Sequence, residues 1–256
     1  MGASKKKRLL FLQQHRCCYF CGGTATTLDH VPSRQCFRNR IGPEGYEFPA
    51  CQMCNSSAGP IEQAVALYLR LADHDDTALN EGHLKKLFQG VANNTPHYLP
   101  TDDATTNEKR RAVKGSRLLL RQHETFSNAP VLRLPDENRQ AFQLFERRLV
   151  CALYYKHFAG VLPPTHLIRT HRTQFITRDA ETLVKKIAPM LPQTVTAQRQ
   201  NTDIGDQFMY VWYGSQDHQI FAFLAQFSKS FMFIGVACPP DQHDGSPDYI
   251  PHSSDL

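Results

Sequence analysis

The 256-residue sequence lacks any apolar run close to the ~20 residues that a membrane-spanning helix needs. It also lacks a Walker loop, a dinucleotide-binding glycine fingerprint and a Ser-His-Asp order, so neither nucleotide-driven nor esterase chemistry is predicted. The first residues, MGASKKKRLLFLQQHR, contain one short apolar patch at Leu9–Leu12. That patch is shorter than the ~7–15 residues of a signal-peptide core. We therefore expect a cytoplasmic protein with no membrane contact.

Charge of one sign is not strongly enriched, because the net charge is only +5. A surplus of this size favours polyanionic partners weakly and does not select a function. The hydrophobic fraction of 41% is ordinary for a globular protein with a buried core. Composition alone therefore indicates a folded protein without indicating its task.

The cysteines are distributed unevenly. Cys151 and Cys238 lie in apolar patterns and are expected to be small buried residues. The other six of the eight fall in the first quarter of the chain: Cys17, Cys18, Cys21, Cys36, Cys51 and Cys54. A secreted disulfide framework usually spreads its cysteines through a small domain, so this clustering indicates metal ligation in a reducing compartment.

Two Cys-x-x-Cys pairs, Cys18/Cys21 and Cys51/Cys54, stand in a loop-rich segment and predict a zinc site. Two residues between thiolates let both sulfurs turn toward one point, and two such turns complete a tetrahedron. Cys17 is an alternative to Cys18, although Cys18 has the two-residue spacing. Four thiolates fill the zinc shell and leave no position for water, so this zinc is expected to be structural.

Between the two pairs lies the sequence Leu28–Pro32 (LDHVP), and Asn55 directly follows the fourth cysteine. The order CxxC, DH, CxxCN resembles the HNH (ββα-metal) nuclease superfamily, especially its zinc-bound branch of the endonuclease VII type. The matching stretch runs from Cys18 to about Glu62, which is less than a fifth of the chain.

The resemblance implies a metal-dependent endonuclease that hydrolyses DNA, with RNA as an alternative substrate. It implies His30 as general base and Asp29 and Asn55 as ligands of Mg²⁺ or Mn²⁺, with Glu62 as a further candidate ligand. These residue types suit the chemistry, because a neutral imidazole accepts a proton from water and a hard cation prefers oxygen ligands. Each residue also has an ordinary alternative role. Asp29 could be a turn or cap residue and His30 a surface or core histidine. Asn55 could be a turn residue after the second cysteine pair, and Glu62 an acid in the first turn of a helix.

The chain departs from the family in two places. Many members have an Asn shortly before the third cysteine, where this chain has Tyr46–Phe48 (YEF), and a Lys after the Asn, where it has Ser56–Gly59 (SSAG). The missing Lys leaves the phosphate contact unassigned. The candidate replacements in the loop after the histidine are Arg34, Arg38 and Arg40.

A basic segment forms a predicted helix over 105–122 and is a second candidate for contact with a nucleic-acid backbone. A solvated charged face is the alternative interpretation. The basic residues considered for this contact are Lys109, Arg110, Lys114 and Arg117.

The expected fold class is α+β, with a small zinc-stabilised ββα-metal module followed by a helical and antiparallel-sheet region. The expected divisions are a nuclease module with flanking helices at 1–92, a linker at 93–104, an α+β substrate- or partner-binding region at 105–238, and a disordered tail at 239–256. Within the module we expect helices over 5–16, from Gly59-Pro60 to about Asp73 and over 77–91, and two strands around Thr27-Leu28 and Tyr46–Phe48.

In the second region, Asp136 is a predicted N-cap for a helix that ends near Phe158, and another helix is predicted over 179–188. Three strands are predicted at Phe208–Tyr213, Ile220–Gln226 and Phe231–Ala237. Their aromatic residues are expected in the core, with a base-stacking surface as the alternative. These are Tyr210, Trp212, Tyr213, Phe221 and Phe223.

Two functions of other classes stay open beside the nuclease. One is a non-catalytic zinc module that binds nucleic acid through a basic surface. The other is an interaction subunit whose C-terminal region docks on a protein partner that supplies specificity, and an oligomer is compatible with both. Phage defence is one setting in which a nuclease of this kind would act.

Overall fold

The computed structural model of the protein describes residues 3–72, 82–101, 105–108, 134–174, 178–199, 202–228 and 230–252. Helices and antiparallel strands are mixed along these ranges, which confirms the α+β class. No helix within the described ranges has the length and apolarity to cross a membrane.

The N-terminal part contains a pair of short strands between helices. The two strands pair antiparallel, with Thr27 opposite Ala50 and His30 opposite Glu47. Both strands were expected, and they extend two residues beyond the predicted segments. The elements are α1 (Ala3–Gln14), β1 (Thr27–His30), β2 (Glu47–Ala50), α2 (Gln52–Leu71) and α3 (Gly82–Asn94).

Helix α2 begins eight residues earlier than Pro60, where the sequence predicted its start. Cys51 caps the helix, because its backbone is extended and its sulfur accepts a hydrogen bond from the Cys54 N–H at 3.4 Å. Pro60 lies inside the helix and removes one backbone donor there. The helix continues past Pro60 because the next turns, from Ala64 to Leu69, are buried in the core.

The C-terminal part is a six-stranded antiparallel sheet with one helix on each face. The elements are α4 (Asp136–Phe158), β3 (Leu167–Gln174), α5 (Arg178–Ile187), β4 (Gln193–Thr196), β5 (Gln198–Arg199), β6 (Thr202–Asp203), β7 (Phe208–Gly214), β8 (Phe221–Phe227), β9 (Phe231–Cys238) and β10 (Ile250–Pro251). The strand order in the six-stranded sheet is β10-β3-β9-β8-β7-β4. The three predicted strands are confirmed as β7 to β9, whereas β3, β4 and β10 were not predicted.

Helix α4 lies between the small N-terminal strands and the large sheet. It packs against α2 on one side and against β3 and β9 on the other. Pro135 precedes its first turn, so Asp136 is the first helical residue and not the cap. One apolar core runs through both parts and includes Tyr19, Phe145 and Phe233. The core is therefore continuous across the division predicted at 93–104.

The prediction of a disordered tail was wrong for residues near 250. Ile250 and Pro251 pair with Ile168 and Leu167 at the edge of the sheet. The following residue, His252, is buried, and its N–H donates to the His166 carbonyl at 2.9 Å. A polar, Pro-rich segment can still add a short strand where a sheet edge offers unpaired backbone groups. Residues 253–256 lie outside the described residues.

The two faces of the sheet are covered by apolar contacts. Phe221 and Phe223 are buried, as is Tyr210, which confirms the core assignment for these three, whereas Tyr213 is exposed. On the opposite face, residues of α5 pack against Leu224 and Met232. The aromatic residues are therefore mainly core residues and only partly available to a ligand.

Gly235 in β9 allows α4 to approach the sheet closely. A Cβ at this position would lie 2.4 Å from Phe223 Cε1 and 2.7 Å from Val150 Cγ2. We predict that Gly235→Ala lowers the free energy of unfolding by about 1–3 kcal/mol, because an overpacked core must shift side chains or backbone. Urea unfolding of the metal-loaded protein measures the change.

Gly59→Ala in α2 is the matched control. A Cβ there meets no atom within 4 Å, so this variant is expected to be neutral or more stable by about 0.5–1 kcal/mol. Equal destabilisation by both substitutions would contradict the packing explanation.

Candidate metal centre and histidine site

The sulfurs of Cys18, Cys21, Cys51 and Cys54 converge, and all lie within 4.8 Å of one another. Cys21 Sγ and Cys51 Sγ are 3.7 Å apart. A tetrahedral zinc–thiolate site with Zn–S bonds of ~2.3 Å separates its sulfurs by about 3.8 Å. The cluster could therefore hold a metal ion. Among the described residues, it is the one group of three or more His, Cys, Asp or Glu side chains with this proximity.

Each cysteine pair has a backbone turn of its own. In the first, the Gly22 N–H donates to the Cys18 carbonyl at 2.9 Å, and Gly22 adopts a φ of 74°, which favours glycine. The second pair is the N-terminus of α2, where Cys51 is the cap. Cys17 is exposed, pairs with Thr24 in a β-bridge and lies outside the cluster, so Cys18 is the member from this pair.

The thiols are held where ionisation needs a compensating charge. Burial raises the pKa of Cys21, and burial followed by the Cys51 thiol raises the pKa of Cys54. At Cys51 burial also acts to raise the pKa, but hydrogen bonds from the Cys54 N–H and the neighbouring thiols lower it overall. A cation among the sulfurs would favour the thiolate form of all four. Cys151 and Cys238 are buried elsewhere, as expected.

His30 ends β1 and faces Glu47 across the strand pair. Its Nε2 lies 2.9 Å from Glu47 Oε1, and the His30 side chain is 30% exposed. A carboxylate oxygen only accepts hydrogen bonds, so Nε2 carries the hydrogen and Nδ1 of the neutral ring has the free lone pair. Arg34 donates to the same Glu47 oxygen at 3.3 Å. The three side chains form a His–Glu–Arg cluster at the surface.

The pKa of His30 is lowered from its ordinary value. Burial is the largest cause and the nearby Arg34 charge adds to it, while Glu47 acts in the opposite direction. The ring is therefore mainly neutral at pH 7, which is the form that accepts a proton.

Asp29 has a buried environment, unlike its neighbour His30. It is 4% exposed, and its Oδ2 accepts a hydrogen bond from the Tyr19 hydroxyl at 2.8 Å. The same oxygen forms an ion pair with Arg148, which comes from α4. Asp29 thus links β1 to the first cysteine pair and to α4.

Asn55 lies in the first turn of α2 rather than in a turn after the knuckle. Its Nδ2 donates to Thr27 Oγ1 and, at 3.2 Å, to the Leu28 carbonyl. The side chain therefore ties β1 to the second cysteine pair. Because the amide nitrogen is used in this way, its carbonyl oxygen is the atom left for a ligand.

Glu62 lies on the buried face of α2, about three turns beyond its start, so a first-turn role is wrong. It is 7% exposed, and its Oε1 lies 3.7 Å from Arg148 Nε. Burial, and then the Asp29 charge, raise the pKa of Glu62 to about 7. The structure thus brings Glu62 and Asp29 together around one guanidinium.

The candidate phosphate-binding arginines have different environments. Arg34 and Arg40 are exposed, and Arg34 belongs to the His30 cluster. Arg38 is half-buried and paired with Asp206 in the turn before β7. The basic segment that contains Lys109, Arg110, Lys114 and Arg117 lies outside the described residues.

Sequence reasoning missed Glu47 and Arg148 as members of the site. Glu47 stands in a segment that the sequence predicts as a strand and that lacks the family's Asn, and the strand register places it opposite His30. Arg148 belongs to a charged triplet, Glu146 to Arg148, within an otherwise apolar helix segment. A run of charges on a helix that is buried all round was the available signal.

Comparison of the chain with models of protein families, with curated proteins and with solved structures found no match.

The cysteine cluster makes a direct prediction about metal content. We expect about one zinc per chain in the purified protein, and we expect Cys18→Ser to lose it and unfold, because structural zinc contributes folding energy. Cys17→Ser, which changes the adjacent exposed cysteine, should retain the metal. Metal analysis with circular dichroism measures both. Full zinc content in the Cys18→Ser protein would contradict the four-cysteine site.

Proposed function

We propose that this protein is a zinc-stabilised HNH-type endonuclease that hydrolyses phosphodiester bonds in DNA, with RNA as an alternative substrate. The observation that carries the proposal is the His30 site. A partly exposed imidazole is held by a carboxylate, stands beside an exposed guanidinium, and lies on a strand tied to a four-cysteine cluster. This combination suits a general base with a polyanionic substrate.

In the proposed reaction, Nδ1 of His30 takes a proton from a water molecule. The water oxygen forms a bond to phosphorus, and the bond from phosphorus to the leaving oxygen breaks. The leaving oxygen takes a proton from solvent or from the protonated imidazole. Glu47 keeps the ring in the tautomer with its lone pair on Nδ1 and favours the imidazolium that forms.

Arg34 is the proposed phosphate contact that replaces the family's Lys. Its guanidinium is half-exposed, and its bond to Glu47 places it beside the imidazole. An arginine fork matches a phosphate and supplies positive charge to the developing anion. Arg40 is exposed in the same loop and can add charge without a fixed contact.

Zinc fits the four cysteines, and its proposed role there is structural because four thiolates complete its shell. The catalytic Mg²⁺ or Mn²⁺ implied by the resemblance does not fit its implied ligands as zinc fits the cysteines. Of its implied ligands, Asp29 is ion-paired to Arg148 and Glu62 is buried at the same guanidinium. Asn55 uses its amide nitrogen to hold β1 and keeps only its carbonyl oxygen for a ligand. The residues present therefore do not fit that ion.

One observation favours a second candidate function. Because the Asp29 carboxylate is already neutralised by a protein cation, the module is also suited to bind nucleic acid or a protein partner without cleaving it. The two functions differ in whether His30 is needed for chemistry.

We predict that His30→Ala lowers the nicking rate on supercoiled plasmid by about 10²–10⁴-fold, the usual contribution of a general base. The zinc content should stay unchanged, because His30 is not among the cluster ligands. His97→Ala, which removes an exposed histidine outside the site, is the control.

The assay includes linear and branched DNA and RNA, each with and without Mg²⁺ or Mn²⁺. A wild-type protein that leaves all substrates intact would favour the non-catalytic candidate. Equal nicking by wild type and His30→Ala would remove His30 as the base.

Glu47 makes a second prediction, on pH dependence. The base must be neutral, so activity falls as the pH drops through the His30 pKa. Glu47 acts to raise that pKa, and Glu47→Gln should therefore move the acidic limb of the pH–rate profile to lower pH. We expect the maximal rate to fall by about tenfold, because the neutral amide supports the imidazolium less well. The measurement is nicking rate against pH.

Glu44→Gln is the matched control, since it removes an exposed acid three residues away. An acidic limb that stays in place or moves to higher pH in Glu47→Gln would contradict the dyad.

A further inference from the structure

Arg148 belongs to α4, but its side chain contacts residues of β1 and α2 in the N-terminal part. The residue is 2% exposed. Its Nη2 donates to Asp29 Oδ2, and its Nη1 donates to the Cys54 carbonyl at 2.9 Å. Its Nε lies 3.7 Å from Glu62 Oε1. One guanidinium thus contacts β1, the second cysteine pair and α2.

The charges around Arg148 are nearly closed off from solvent. Asp29 and Glu62 are 4% and 7% exposed, and the guanidinium carbon lies 5.7 Å and 5.3 Å from the centres of the Tyr19 and Phe20 rings. Buried carboxylates need a cation or hydrogen-bond donors close to them. In this structure that cation is supplied by the chain itself.

We propose that Arg148 is the resident cation of the Asp29–Glu62 pair and excludes a divalent ion from it. The module then carries a fixed guanidinium where the resemblance implies Mg²⁺ or Mn²⁺. The inference concerns the site of the proposed function, but it does not depend on that function because it is a statement about metal binding.

Geometry and charge give the reason for the exclusion. Asp29 Oδ2 already accepts from both the Tyr19 hydroxyl and Arg148, so the lone pairs of that oxygen are used and only Oδ1 is left for a metal ion. A divalent ion at this carboxylate would stand within a few ångströms of the guanidinium, where like charges repel strongly because burial weakens screening. Arginine does not lose its proton in proteins, so a change of pH does not vacate the position.

Arg148 is also a positioning residue. Its bond to the Cys54 carbonyl holds the peptide that leads to Asn55, and its bond to Asp29 holds the residue before His30. Removing the guanidinium should therefore leave two buried acids without a counter-charge and free them for another cation.

The test is a titration of the zinc-loaded full chain with Mn²⁺ in the absence of nucleic acid. The concentration of free Mn²⁺ is measured by its electron paramagnetic resonance signal. We expect the wild-type protein and Asp29→Asn to bind Mn²⁺ with equal affinity, because the wild-type protein has no Mn²⁺ site at Asp29. For Arg148→Met we expect one new Mn²⁺ site, with an affinity on the order of tenfold to 100-fold tighter than any residual Mn²⁺ binding by the wild-type protein. The double variant Arg148→Met/Asp29→Asn should lose that site.

Arg172→Met is the matched control, because it removes a guanidinium from another buried carboxylate, Glu146, which also accepts a hydrogen bond from Thr170 at 2.6 Å. It should gain no Mn²⁺ site. Failure of Arg148→Met to gain Mn²⁺ affinity while folded would overturn the proposal.

If Arg148→Met does not fold, the comparison of wild type with Asp29→Asn decides. Equal Mn²⁺ affinities support a filled position, and a wild-type affinity that Asp29→Asn abolishes overturns it. Because nicking is not the readout, an inactive protein does not affect this result.

Discussion

Two strands of four residues each cannot hold their register by their own hydrogen bonds, and the site depends on what holds β1 beside β2 and α2. Three contacts do so from different directions. The four cysteine sulfurs gather the turns at both ends of the segment, Asn55 bonds to the backbone of β1, and Arg148 pairs with Asp29 from the far side. His30 is placed by these contacts although it takes part in none of them.

The site therefore divides into a buried part and an exposed part along one strand. Alternation of side chains in β1 turns Asp29 inward to Arg148 and His30 outward to Glu47. The inward residue stabilises the strand, and the outward one is accessible to a substrate. The adjacent residues Asp29 and His30 thus have different roles. Asp29 stabilises the structure through its ion pair, and His30 is the chemical group of our proposal.

Local features of the fold were predictable from the sequence. The two-residue cysteine spacing predicts its own turn, and apolar alternation predicts β7 to β9, because both signals arise within a few residues. Contacts set by distant segments were not predictable. The start of α2 was misplaced because a cysteine acts as its cap and Pro60 is typical of a first turn. Identifying Glu47 and Arg148 as partners requires the strand register and the packing of α4. A local sequence pattern gives neither of these.

The position of α4 determines how much of the chain is needed to form the site. Residues 1–92 hold all four cysteines and the His30 site, so the sequence suggests a cassette that could be moved between proteins. The guanidinium that balances its inner acids, however, is supplied by α4, which also forms part of the core beneath the large sheet. Transplanted alone, the cassette would have two acids without their counter-charge and an uncovered apolar surface. The two halves of the chain are in this sense one folding unit, joined by a shared apolar core and by the charge of Arg148.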